Sequence, residues 1–334
     1  MALWLFIVFS YVLLLPAQDP AATSPVTFSN PILPAPSQDP WIVREAGSYY
    51  YCESRGNTIT VRRTTNPVQL RDARPIVVWT APPRGANSKD VWAPELHRIG
   101  ERWYIYFAAD DGANAHHRMW VLESERDDAF GPYRDCRELE TGGWAIDGTV
   151  LRGKNGRMFF VWSGWPGSVD GLQQLYIAPM PSPVCVDTPR ILLTTPMERW
   201  ERTGMPICEG PEALQRGDRT FIVYSASGSW TPDYCLGMLV NEDGDFLNPA
   251  AWKKSGPVFA RTDSVWGVGH CSFVLSPDST ESWILYHAKE SAEDGWNDRS
   301  VRAQRFIWDE SGFPVFGTPV PIHVDFILPS GARP

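Results

Sequence analysis

Three acidic residues sit in short motifs that recur along the chain: Gln38-Asp39-Pro40-Trp41-Ile42-Val43, Ile146-Asp147-Gly148-Thr149-Val150-Leu151 and Glu209-Gly210-Pro211-Glu212-Ala213-Leu214. Taken singly, Asp-Pro and Asp-Gly are ordinary turn elements and Glu-Gly-Pro is an ordinary solvated corner. Gathered into one pocket, three carboxylates repel one another, and the repulsion is relieved when one stays protonated. A protonated carboxyl beside an ionised one is the equipment for acid–base cleavage of a glycosidic bond.

A repeat supplies the means of gathering them. Each motif opens a unit made of a strand, a Gly- or Asp-containing turn, an aromatic-rich strand and a third strand. Five units are visible, opening at Asp39, at Val91-Trp92-Ala93-Pro94-Glu95-Leu96, at Asp147, at Glu209 and at Gly269-His270-Cys271-Ser272-Phe273. Their second strands are Tyr49-Tyr50-Tyr51, Trp103 to Phe107, Met158 to Trp162, Thr220 to Tyr224 and Trp283 to His287. Openings about 50–60 residues apart match the blade spacing of a propeller, in which each small antiparallel sheet needs a neighbour on either side to bury its faces. The fold expected is therefore all-β, a single five-bladed β-propeller over residues 28–330. The innermost strands of such a disc open on one face, where Asp39, Asp147 and Glu209 would meet at a shared register.

Composition narrows the partners. The 334 residues are 43% hydrophobic and 21% charged, with a formal net charge of −9. That balance suits a folded chain with a large core and disfavours a nucleic-acid or anionic-membrane partner. Sixteen tryptophans can both fill sheet interfaces and stack on sugar rings. The apolar run from Met1 to Ala17 reads as a signal peptide cut after Ala17, giving a secreted, extracellular protein with no membrane attachment after cleavage. The six cysteines are scattered, so no pairing is assigned, and no zinc spacing or N-glycosylation sequon occurs.

The ordered motifs resemble glycoside hydrolase family 43, especially its exo-acting α-L-arabinofuranosidases. Gln-Asp-Pro-Trp-Ile, Trp-Ala-Pro-Glu-Leu, Ile-Asp-Gly-Thr-Val, Glu-Gly-Pro and Gly-His-Cys-Ser-Phe, followed by Tyr286-His287-Ala288, carry the likeness across nearly the whole chain. The resemblance implies an inverting mechanism with Asp39 as general base, Glu209 as general acid and Asp147 orienting the acid. Inversion requires the base and acid about 6.5–9.5 Å apart. It further implies Trp92, Trp165, His287 and Arg302 as substrate contacts, and His270 at a central channel that holds water or an ion such as calcium. Trp41 is expected between blades, and Glu95 in a structural role.

No organic cofactor is implied. The expected substrate is an arabinose-containing oligo- or polysaccharide, acted on by a monomer. β-Xylosidase or endo-arabinanase activity, or a sugar-binding propeller without catalysis, are the alternatives. A WD or kelch interaction propeller lacks its repeat signature here.

Overall fold

The computed structural model describes Met1 and residues 26–333. The expected signal segment, apart from Met1, lies outside the described residues. Among those described, no helix is long and apolar enough to cross a membrane.

Five four-stranded antiparallel sheets follow one another along the chain, each with its strands in strictly sequential order. Their innermost strands are Trp41–Glu45, Lys89–Ile99, Ala145–Arg152, Cys208–Arg216 and Trp266–Leu275. Strands join through tight hairpins. At Ala46-Gly47 both residues take positive φ, 47° and 76°, which is the twist a two-residue hairpin turn needs.

The core is divided as a propeller requires. Five clusters of buried side chains form, one at each contact between neighbouring blades; Tyr106 and Met119 of the second blade meet Phe160 and Trp162 of the third, for example. Aromatic and β-branched residues therefore face the adjoining sheet, and each blade is covered on both sides by its neighbours. Trp41 lies between the first two blades, as expected, and donates its indole N–H to Leu96 O at 2.8 Å.

The ring closes without a shared blade. The outer strand of the fifth blade is only Pro314–Val315, so the strand inside it keeps free backbone groups. The amino-terminal segment satisfies them: Asn30 exchanges two 2.9 Å hydrogen bonds with the Ala303 backbone, and Leu33 bridges to Val301. Thr27–Ser29 then pairs with Asp325–Ile327, with Phe28 stacked on Phe326 at 5.4 Å.

Candidate active site

One backbone feature recurs at the mouth end of every inner strand. Asp39, Ala93, Asp147, Gly210 and His270 all take left-handed φ, of 49°, 41°, 55°, 51° and 45°. In four blades the ladder slips at that residue, between Trp92 and Glu95, Ile146 and Thr149, Glu209 and Glu212, and Gly269 and Ser272. A bulge of this kind re-aims a side chain that regular alternation would send into the blade interface. For a non-glycine residue the conformation costs roughly 1–2 kcal/mol, and four of the five positions carry that cost.

The bulge corrects the register read from sequence. Asp39 and Asp147 share it with Gly210 and His270, whereas Glu209 stands one residue earlier, level with Trp92. A side chain at Gly210 would crowd its neighbours, because a Cβ there would lie 3.1 Å from His270 Nδ1 and 3.2 Å from Ser225 Oγ. Its N–H donates to Asp147 Oδ2 at 3.0 Å, which ties blade four to the Asp147 carboxylate of blade three.

The three carboxylates line one cavity of about 550 Å³, together with Trp92, Trp144, His270 and Arg299. A larger, more open depression of about 1170 Å³ lies toward the other ends of the inner strands and holds none of the three. The smaller cavity is the candidate active site, because it combines the acids with aromatic walls.

Their environments diverge. Burial opposes ionisation of Asp39, but His270, the hydrogen bond with His287 and the Arg299 guanidinium together outweigh it and hold its carboxyl well below the usual range. His270 Nδ1, His287 Nδ1 and Arg299 Nη1 stand 3.4, 3.3 and 3.6 Å from Asp39 Oδ1. Burial pushes Glu209 up to about 7; the Asp39 charge adds to the rise, while the Tyr234 hydroxyl and Arg299 act against it. Burial likewise pushes Asp147 up to about 7, with the Glu209 and Asp39 charges reinforcing it against His270 and the Gly210 N–H. One carboxylate is thus kept ionised and two are kept near neutrality in the same pocket.

Two groups stand out that the motifs did not mark. Tyr234, fully buried, donates to Glu209 Oε1 at 2.8 Å, and its ring stacks on His287 at 5.5 Å and 6°. Arg299 lies in the loop before the third strand of blade five, where only its charge could have drawn attention. Cys208, next to Glu209, is a buried thiol whose Sγ donates to Glu201 Oε1 at 3.5 Å; burial keeps it protonated, so it adds no charge beside the acid. All six cysteines are free thiols.

The remaining expected contacts divide. Trp92 is 39% exposed and lines the cavity, with its inner face on the His117 ring at 4.0 Å and 26°. Trp165 does not reach the cavity; it is 2% exposed and stacks behind Trp144 at 4.5 Å and 8°, so Trp144 presents the wall that Trp165 supports. His287 is fully buried, and its Nδ1 stands 3.3 Å from both the main-chain N and the Oδ1 of Asp39, so it braces Asp39 instead of meeting solvent. Arg302 is fully buried too, donating to Ser300 Oγ and to the Lys289 and Val320 carbonyls, while Arg299 takes the pocket position. Both were drawn inward because alternate residues of an inner or middle strand face the neighbouring blade.

His270 does line the pocket. Among the described residues no group of three or more His, Cys, Asp or Glu side chains converges as a metal-binding set.

A five-bladed propeller whose pocket sets an ionised carboxylate against protonated ones has the architecture of a glycoside hydrolase. Residues 28–314 match the model of Glycosyl hydrolases family 43, and the chain belongs to that family. It is 34% identical over 322 residues to an extracellular exo-α-(1→5)-L-arabinofuranosidase of Streptomyces avermitilis, covering 91% of this chain and 66% of that one. A Streptomyces chartreusis protein of the same description is 34% identical over 285 residues, covering 82% of this chain and 86% of its own. The chain thus spans just under two thirds of the first of these relatives. The crystal structure of an α-L-arabinofuranosidase from Lactobacillus brevis superposes with a TM-score of 0.81 at 33% identity, over 89% of this chain and 98% of that one.

Proposed function

We propose that this protein is an inverting glycoside hydrolase that releases terminal α-L-arabinofuranosyl units from arabinan or related arabinose-containing plant polysaccharide outside the cell. The observation that carries the reading is that Asp39 and Glu209 line one cavity in opposite environments, Asp39 beside His270, His287 and Arg299 and Glu209 buried against the Tyr234 hydroxyl. Glu209 gives its proton to the glycosidic oxygen as the bond to the anomeric carbon breaks. Asp39 takes a proton from the water that attacks that carbon from the opposite face. Asp147 grips the Gly210 N–H and so fixes the peptide that carries Glu209. The leaving sugar departs with the acid's proton, and exchange with solvent resets both carboxyls.

The choice of sugar rests on the arabinofuranosidase relatives. It is tested by offering p-nitrophenyl α-L-arabinofuranoside and the β-D-xyloside to wild type and Glu209→Gln. Turnover of the arabinofuranoside, lost by roughly 10²–10⁴-fold in the variant, is expected. A xyloside preference would move the assignment to a β-xylosidase. Proton NMR of the first product decides the stereochemistry, and retention of configuration would overturn the inverting mechanism.

A further inference from the structure

Trp296 is 53% exposed at the edge of the cavity, in the loop between Lys289 and Ser300. An indole left half in water gains little from burial, yet this one is held firmly. Its Nε1 donates to Ser229 Oγ at 3.1 Å, and its ring meets Trp230 edge-on at 5.7 Å and 70°. The loop is bolted to blade four as well. Gly295 N–H donates to Trp230 O at 2.7 Å, and the fully buried Lys289 ammonium donates to Trp230 O at 3.1 Å and to Glu293 O.

The same loop reaches the chemistry. Arg299 Nε donates to Trp296 O at 3.1 Å, and its Nη1 stands 3.6 Å from Asp39 Oδ1. Glu209 and Asp147 are buried, so a sugar held between the carboxylates directs its leaving unit outward, and the exposed Trp296 indole lines that cavity on the side of blade four, which carries Glu209. A rigid aromatic face at that place suits the apolar C–H face of a sugar ring.

We infer that Trp296, steadied by Trp230 and the Lys289 anchor, is the platform for the leaving-side sugar, so that the enzyme selects sugar-linked substrates over ones with small leaving groups. The inference rests on the glycosidase reading. The indole face contributes to binding of the second ring and not to the bond-breaking step.

The test compares Trp296→Ala and Trp296→Phe with wild type on α-1,5-arabinotriose and on α-L-arabinofuranosyl fluoride, whose leaving group has no ring to stack. For Trp296→Ala, kcat/KM on the triose should fall about tenfold, mainly through KM, with the Phe variant recovering most of it. Fluoride hydrolysis should change by less than about twofold. Equal losses on both substrates would mean that Trp296 acts through Arg299 on Asp39, and no loss on the triose would mean that it binds nothing; either overturns the inference. If wild type hydrolyses neither substrate, the activity reading fails instead. Tryptophan-fluorescence titration with the triose then decides the platform, supported by weaker binding in Trp296→Ala and overturned by equal binding.

Discussion

The phenolic hydroxyl of Tyr234 donates to Glu209 Oε1 at 2.8 Å while the same ring lies flat on His287, the side chain that braces Asp39. One buried tyrosine therefore links the candidate acid to the candidate base from beneath the pocket. Its hydrogen bond favours the ionised form of Glu209 and so acts against the rise that burial causes.

The alkaline limb of kcat/KM should fall near the Glu209 value of about 7, because activity requires that carboxyl protonated. Asp39 is held well below the usual range, so it imposes no acid limb where the fold persists. Tyr234→Phe removes the donor and should move the alkaline limb to higher pH. A limb that stays in place or moves down would show that the hydroxyl does not govern the acid.

Stability should follow the same groups. Asp147 and Glu209 have folded pKa values near 7, above their ordinary 3.8 and 4.5, so the native state binds more protons than the unfolded chain between those limits. Stability then falls as pH rises through that window. Asp39 has the opposite sign: its contribution is present above the ordinary carboxylate pKa and is lost as pH falls toward its lowered folded value. Urea unfolding from pH 4.5 to 7 should show a decline that Asp147→Asn makes shallower; an unchanged slope would count against burial of a protonated Asp147.

Gly210→Ala should destabilise the protein by about 1–3 kcal/mol, since φ is +51° and the added Cβ presses on His270 and Ser225. The shift also moves Glu209, so kcat should drop with stability. Thermal unfolding and kinetics on the same preparation check both, and an unperturbed variant would mean that the bulge relaxes freely.

Trp92→Ala should raise KM by about tenfold with a smaller change in kcat, because it removes an exposed stacking face. Trp165→Ala should instead cost about 3–5 kcal/mol of stability, as expected for emptying a buried aromatic site. Comparison of unfolding midpoints and KM separates the two tryptophans; a KM effect from Trp165→Ala without loss of stability would return it to the pocket.

The five blades were legible because each must present an aromatic-rich second strand to its neighbour, and that demand writes a repeat into the chain, as in Trp103 to Phe107 and Trp283 to His287. The positions of Asp39 and Asp147 followed from the same repeat. The one-residue offset of Glu209 did not, because no residue type marks where a bulge adds a residue to the strand, and Gly210 is as common in plain turns. Exchange of Arg302 for Arg299, and of Trp165 for Trp144, was hidden for a related reason. Each pair is three to 21 residues apart in sequence, and which member faces the cavity depends on loop paths that carry no periodic signal. Tyr234 sits outside any strand and outside every motif, so only the fold reveals it.

The clasp of Thr27–Ser29 on Asp325–Ile327 brings the first and last strands of the described chain side by side. A short peptide could join them, and new ends could be opened at an exposed hairpin such as Gly217-Asp218, with every blade left whole. The order in which the blades are synthesised is then separable from the ring they make.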